Sequence, residues 1–413
     1  MDIVRRTTPV AAGPLFILSQ FVPMLVLAGA YHLANDRIEA CTLGGVPLDR
    51  LLLTAAVIAP LLSQSVSGPL FSSLEITPRR RFADSAALTL RNLPRALVLA
   101  GPVLVAIAGA TAWSLGMSPS GTLALVGIVW VHVLFAATLV PAYAHRNGWL
   151  LVLAWTAYAV TLAASPGTWW APSVVGFVSQ LFVLLAVCHV RMAEVPTAAW
   201  GAMLAGMLRG IALAFPLWCL PVTAYLASSG ELSPVAIFLS MTPALLAYQV
   251  YFVTVATPVW ASIDGARRML ADDSYPVARQ ALGHIDERIR RGLGRVTAML
   301  GLLLVAAGYV VLHRHSGDTG LLLPLMLTAG LSVVLIAEVT RLTMVKQGHA
   351  LYVVSGVVAV ALLAGAIGER SLTDLVALHA GACTVAWGGV RLANRLVWRT
   401  PEYALFWSTA LRH

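Results

Sequence analysis

Long apolar runs with few charges recur along the whole chain of 413 residues. A helix of about 18 or more such residues crosses the roughly 30 Å of hydrocarbon in a bilayer, because each residue adds about 1.5 Å. Charged residues make up 11% of the chain, whereas soluble domains carry about 25%. The sequence therefore predicts an all-α polytopic membrane protein, with the lipid bilayer as its first partner.

Twelve spans are predicted, at roughly residues 10–33, 48–72, 96–116, 121–143, 149–165, 172–190, 201–228, 234–258, 295–313, 320–342, 350–368 and 373–394. The first run is too long for a cleaved signal peptide, so it is predicted to be a span. With the N-terminus inside, about 22 of the 27 Lys and Arg residues lie on the inner side and about four on the outer side. Both termini are therefore predicted to be cytoplasmic. The net charge of +9 is explained by this inner-face bias, and no nucleic-acid-binding motif accompanies it.

One phrase occurs twice, each time where a predicted span reaches the inner side. PLFSSLEITPRRRFADS begins at Pro69 after span 2, and PVWASIDGARRMLADDS begins at Pro258 after span 8. Arginines alone are expected in any inner loop, but a shared proline, acid and Ala-Asp in the same order are not. The match predicts two parallel six-helix repeats around a central cavity, with bundles at 1–195 and 196–413. Parallel repeats that bind substrate near the midplane are typical of transporters.

Spans 1, 2, 7 and 8 each combine an internal proline with a polar side chain. A proline in a span frees a backbone carbonyl, which is tolerated only beside protein or water. These helices are therefore the predicted cavity walls. The predicted hinges are Pro23, Pro60, Pro216, Pro221 and Pro243, and the predicted substrate-binding residues are Gln20, Gln64, Arg209 and Gln249. Arg209 either holds a phosphate or carboxylate of the cargo or extends to the inner headgroups.

The polar segment 264–295 is predicted to be cytoplasmic. Val277, Ala281, Ile285, Ile289 and Leu293 recur at four-residue spacing between charges, which predicts an amphipathic helix lying flat on the inner leaflet. The alternative is a docking surface for a cytoplasmic partner, with Arg288, Arg290 and Arg291 as its contact residues.

Other polar residues in the spans favour structural roles. Glu338 and Arg341 are three residues apart on one helix face and can neutralise each other. His132 and His379 are interpreted as packing residues, with a proton relay as the alternative. No Walker A, GxSxG or HExxH motif and no metal-binding cluster is present, so no enzyme activity, metal or cofactor is predicted.

Three stretches carry a resemblance to a known family: AAGPLFILSQ in span 1, ALGHIDERIRRGLGRVTAML entering span 9, and the tail RTPEYALFW. The chain resembles the membrane subunit of the Pel exopolysaccharide export system, the PelG family of the multidrug/oligosaccharidyl-lipid/polysaccharide (MOP) flippase superfamily. This resemblance implies movement of a saccharide or lipid-linked saccharide across the bacterial inner membrane, beside a glycosyltransferase and other subunits. The family's acid and lysine toward the outer end of span 7 are absent from RGIALAFPLWCLPVTAYL.

Three alternatives stay open on the sequence. A small-solute carrier of the major facilitator type has parallel halves, but RRRFAD lacks the glycines of its Gly-x-x-x-Asp-Arg-x-Gly-Arg-Arg loop. A polyprenyl-phosphate-dependent glycosyltransferase would need Asp36 or Glu39 as a catalytic acid. A non-transporting scaffold would use the amphipathic segment to hold a synthase.

Overall fold

The computed structural model describes residues 22–75, 81–188, 195–230, 232, 234–271, 275–314, 319–345, 348–367 and 371–410. Ten helices in this part are long and apolar enough to cross a membrane, and the helix Gly148–Ala164 is apolar but shorter. The described residues are almost entirely helical. The predicted all-α polytopic membrane fold is confirmed.

The chain divides into two compact units, of which the first is Pro14–Pro234. Its helices are α1 Val22–Glu39, α2 Leu48–Glu75, α3 Phe82–Ser114, α4 Pro119–Thr138, α5 Val140–Ala144, α6 Gly148–Ala164, α7 Ala171–Cys188 and α8 Trp200–Ala227. The short strands β1 (Thr42–Leu43) and β2 (Val46–Pro47) form an antiparallel hairpin between α1 and α2. Helix α2 is central, because it packs against α3, α4 and α8.

The start of α8 is attached to α3 by side-chain bonds. The backbone N–H of Ala198 donates to the Asn92 Oδ1 at 2.9 Å, and the Arg95 guanidinium donates to the Ala198 carbonyl at 2.9 Å. Arg95 also lies 5.4 Å from the centre of the Trp200 ring. These contacts place α8 in the first compact unit, although the repeat assigned it to the bundle 196–413. A packing unit need not begin where a sequence repeat begins, so the boundary at 195 stays a prediction.

The second unit contains Val235–His413. Its helices are α9 Pro234–Tyr251, α10 Thr257–Ala271, α11 Tyr275–Arg314, α12 Thr319–Met344, α13 His349–Ile367, α14 Leu372–Val397 and α15 Pro401–Ala410. A π-helical turn, Phe252–Ala256, joins α9 to α10. The Thr257 hydroxyl donates to the Phe252 carbonyl at 2.8 Å, five residues back, and this bond fits the wider turn.

Helix α11 differs from the expectation of a separate helix lying flat on the leaflet. Its 40 residues form one continuous helix, so the amphipathic segment and the ninth span share a single axis. At about 1.5 Å per residue the helix is roughly 60 Å long, twice the hydrocarbon thickness. The polar half therefore projects beyond the membrane instead of lying along it.

Candidate functional site

Helices α2 and α8 pack antiparallel at a seam of the glycines Gly68, Gly206 and Gly210. A Cβ on Gly210 would lie 2.7 Å from the Gln64 carbonyl oxygen and 3.0 Å from the Gly68 Cα. A Cβ on Gly68 would meet the Gly206 carbonyl oxygen. Gly206 and Gly210 form a Gly-x-x-x-Gly pair, the spacing that allows membrane helices to approach backbone to backbone. The glycines therefore set the distance between two helices that the sequence had assigned to cavity walls.

The opposite end of the same helix pair is joined by a polar contact. The hydroxyls of Thr54 on α2 and Tyr225 on α8 are 3.0 Å apart and both side chains are buried. A hydrogen bond between buried groups satisfies polar atoms that lipid cannot. The seam and this bond together hold α2 to α8 along most of their length.

Gln64 and Arg209, two of the four predicted binding residues, lie at this seam. Gln64 is half-buried on α2, and its carbonyl faces Gly210, the neighbour of Arg209 on α8. Arg209 is exposed at the surface of the first unit. The structure therefore brings the two residues to the same level of adjacent helices, and the role of each in binding stays a prediction.

The other predicted binding residues are not brought to this seam. Gln20 lies outside the described residues, and Gln249 is half-buried on α9 in the second unit. Among the predicted hinges, Pro60 is inside α2, Pro216 and Pro221 are inside α8, and Pro243 is inside α9. Pro23 is the second residue of α1. The helices continue through the four internal prolines. The role of these prolines as hinges stays a prediction.

The second unit contains a buried cluster of charged residues. Arg341 of α12 donates to the carboxylate of Asp286 of α11, and its guanidinium is 3.9 Å from the Glu338 carboxylate. The Asn394 amide of α14 donates to the Glu338 carboxylate at 2.7 Å. The Trp398 ring lies 5.3 Å from the Arg341 guanidinium. The predicted Glu338–Arg341 pair is present, but the closer partner of Arg341 comes from another helix.

The cluster is suited to holding helices rather than to binding a small ion. The charges of the cluster balance: it has two acids, Asp286 and Glu338, and two arginines, Arg341 and Arg290. Arg290 pairs with Asp286 at 2.6 Å. Charges that neutralise one another can remain buried, whereas one unpaired charge is costly. In the described part of the chain, no group of three or more His, Cys, Asp or Glu side chains could hold a metal ion.

The predicted docking residues differ in their surroundings. Arg288, Arg290 and Arg291 are all exposed on α11. Arg290 is bound to the buried Asp286, and Arg291 pairs with Glu287 at 2.7 Å on the helix surface. Arg290 thus contributes to the internal cluster, while Arg288 and Arg291 lie on the outward side.

The intramembrane histidines are hydrogen-bonded within their units. His132 donates from Nδ1 to the Ile128 carbonyl at 2.8 Å, and its Nε2 is 2.9 Å from the Tyr158 hydroxyl. The Nε2 of His379 is 3.3 Å from the Ser332 hydroxyl. These contacts support the interpretation of both histidines as packing residues.

Sequence reasoning missed the seam glycines and the partner of Arg341. The seam had a readable signal, because GMLRG in span 7 has the Gly-x-x-x-Gly spacing. Asp286 had none, because it is 55 residues from Arg341 and only the fold brings them together.

The chain matches no protein-family model and no curated protein. Its fold is similar to that of a multidrug resistance MATE family transporter of the MOP superfamily, solved in an outward-facing conformation. That likeness has a TM-score of 0.58 at 12% identity and covers 95% of this chain and 96% of the other. A second similar structure is a MATE in complex with MaL6, with a TM-score of 0.52 at 12% identity, covering 98% and 100%. The chain therefore has the fold of MATE transporters.

Proposed function

We propose that this protein is a transporter of the MOP superfamily that moves a saccharide or lipid-linked saccharide across the bacterial inner membrane by alternating access. The observation that carries the proposal is the fold shared with an outward-facing MATE transporter over 95% of the chain. The proposed orientation has both termini in the cytoplasm, because that arrangement keeps most of the arginines inside. The saccharide cargo is supported by the resemblance to the Pel export subunit.

In this proposal Arg209 meets an anionic group of the cargo. Its guanidinium is planar and always charged, and it suits the paired oxygens of a phosphate or carboxylate. Arg209 is exposed at the surface of its unit and lies beside the seam that carries Gln64. The amides of Gln20, Gln64 and Gln249 would bond cargo hydroxyls. Pro23, Pro60, Pro216, Pro221 and Pro243 would supply the hinges for rocking.

The test measures flipping of a fluorescent lipid-linked oligosaccharide in proteoliposomes that contain the purified full-length protein. Arg209→Ala is expected to lower the flipping rate at least tenfold, and Arg209→Lys is expected to restore part of it. Arg391→Ala is the matched control, because Arg391 is an exposed arginine on α14 whose guanidinium lies 4.9 Å from the Trp387 ring. Undiminished flipping by Arg209→Ala, at equal reconstitution, would remove Arg209 from the mechanism.

A non-transporting scaffold is the second candidate, and the projecting half of α11 is the observation that favours it. A scaffold predicts that the wild-type protein flips no lipid-linked saccharide, while its loss still lowers the amount of the synthase at the membrane. Flipping by the wild-type protein would exclude this candidate.

The glycosyltransferase alternative has its own test. Asp36 is exposed, and Glu39 accepts a hydrogen bond from the Asn35 amide at 2.6 Å. Full polysaccharide production by an Asp36→Asn, Glu39→Gln double variant would exclude it.

A further inference from the structure

The C-terminal helix α15 is fastened to the distal end of α11. The Glu402 carboxylate is 2% exposed, accepts a hydrogen bond from the Tyr275 hydroxyl at 3.3 Å and lies 3.6 Å from the Arg279 guanidinium. Pro401 and Leu405 are buried on the same side of α15. Partial burial, and then the Glu402 carboxylate, raise the pKa of Tyr275, whose phenol is protonated at neutral pH with or without this shift. The tail RTPEYALFW thus forms a fixed part of the fold.

The distance along α11 places this contact beyond the lipid. The apolar half of α11 begins at Val296, after Arg295. Arg279 is 17 residues earlier, which is about 26 Å along the axis, or about 20 Å at a tilt of 40°. The headgroup region adds only about 5–8 Å to each side of the hydrocarbon core. With the orientation of the proposed function, Glu402 and its neighbours are therefore in the cytoplasm.

Apolar side chains remain exposed around this contact. Tyr403 is 59% exposed and Phe406, three residues later on the same side of α15, is 50% exposed. Tyr275 is 42% and Val277 is 54% exposed on the adjoining turn of α11. Exposed aromatics at a lipid surface are explained by lipid, but these lie beyond its reach. Tyrosine and phenylalanine are enriched in the centres of protein–protein interfaces.

The exposed face of α11 that carries Val277 becomes basic closer to the membrane. Arg288, Arg291 and Arg295 follow one another at helical spacing from Val277, and all three are exposed. The only acid among the exposed residues of this segment is Glu287, which is paired with Arg291. Exposed arginines form a positive surface, which favours a partner with an acidic surface and speeds its association.

We propose that α15 and the exposed face of α11 from Tyr275 to Arg295, here called the cytoplasmic platform, dock a cytoplasmic protein with an acidic surface. Tyr403 and Phe406 are the apolar anchors of this contact, and Arg288 and Arg291 are its charged rim. The inference rests on the proposed orientation and does not require that the protein transports.

The test begins with the full-length protein in living cells, carrying the photo-crosslinker benzoylphenylalanine in place of Tyr403. The matched control carries it in place of Val360, which is 67% exposed on the span α13. The expected result is one acidic protein, identified by mass spectrometry, joined at position 403 and absent at position 360. Phospholipid adducts at position 403, or no adduct, would overturn the proposal.

The captured protein is then purified, and its binding to the full-length chain in nanodiscs is measured. Tyr403→Ala with Phe406→Ala, and Arg288→Glu with Arg291→Glu, are each expected to weaken binding at least tenfold. The control Leu302→Ala with Val305→Ala changes exposed positions in the span half of α11 and is expected to leave binding unchanged. Equal binding by all variants would refute the platform. Flipping in proteoliposomes is measured without the partner, so it reports separately on the proposed transport.

Discussion

Arg341 of α12 donates a hydrogen bond to Asp286 of α11, 55 residues away, and both side chains are buried. Asp286 belongs to the half of α11 that projects from the membrane, whereas Arg341 lies near the end of a spanning helix. The bond therefore ties the projecting half of α11 to the end of α12.

Replacing Asp286 with alanine is expected to destabilise the protein by about 3–5 kcal/mol, because Arg341 would keep a buried charge without its closest partner. Thermal unfolding in detergent measures the effect. The control Glu287→Ala breaks only the exposed pair with Arg291 and is expected to cost at most about 1 kcal/mol. Equal melting temperatures for the two variants would show that the buried pair has no special weight.

Substitution at the seam is expected to separate α2 from α8. An alanine at Gly210 would place a methyl group 2.7 Å from the Gln64 carbonyl oxygen, and overpacking of this kind costs about 1–3 kcal/mol. A Cβ on Gly201 of the same helix meets nothing within 4 Å. Gly201→Ala should therefore keep or raise the melting temperature, while Gly210→Ala lowers it. The seam would be contradicted if both variants melted as the wild type does.

The bond between Thr54 and Tyr225 is expected to appear as a coupling energy. Thr54→Val and Tyr225→Phe each remove one hydroxyl of this pair, and in Tyr225→Phe the Thr54 hydroxyl keeps its bond to the Arg50 carbonyl at 2.6 Å. The double variant is expected to lose about 0.5–1.5 kcal/mol less than the sum of the single losses. A double-mutant cycle measured by denaturant unfolding checks this, and strict additivity would mean that the contact contributes nothing.

His145, in the loop between α5 and α6, predicts a dependence of stability on pH. Burial lowers its pKa below the ordinary 6.5, while the Asp84 carboxylate opposes this shift. Its Nε2 is 2.7 Å from the Ser85 hydroxyl, which joins the loop to the start of α3. A lowered folded-state pKa means that the unfolded chain takes up the proton first as the pH falls. The stabilisation is present above about pH 6.5 and is lost as the pH falls through the folded-state pKa.

The measurement compares melting temperatures at pH 7.5 and pH 5.5. The wild-type protein is expected to lose more than His145→Asn, which has no proton to take up at this position. The same loss in both proteins would assign the acid sensitivity to other groups.

Most of the fold could be predicted from the sequence, because hydropathy and helical periodicity are local properties. The spans that became α2, α8 and α12 follow directly from apolar length. The continuity of α11 could not be predicted in this way. Composition changes at the membrane surface near Arg295, but the backbone hydrogen bonds of a helix continue across that surface. The change in composition therefore predicts the end of a helix where the structure has none.

The candidate site was predictable only where its signal was local. Pairing at three-residue spacing identified Glu338 as a partner of Arg341, but not Asp286 on a separate helix. Gln64 and Arg209 stand out in the sequence because polar residues are rare in spans, but their rarity does not indicate how closely their helices approach each other. The distances between helices depend on how the helices pack, and the pattern of residues along the chain does not show them.

The single axis of α11 has a mechanical consequence. Because the helix is about 60 Å long, a rotation of the whole helix by about 10° around its Arg314 end displaces the Tyr275 end by about 10 Å. The bonds of Glu402 to Tyr275 and Arg279 make α15 move with that end. A small change in the orientation of α11 inside the bilayer therefore moves its Tyr275 end, beyond the headgroups, by about the diameter of a helix.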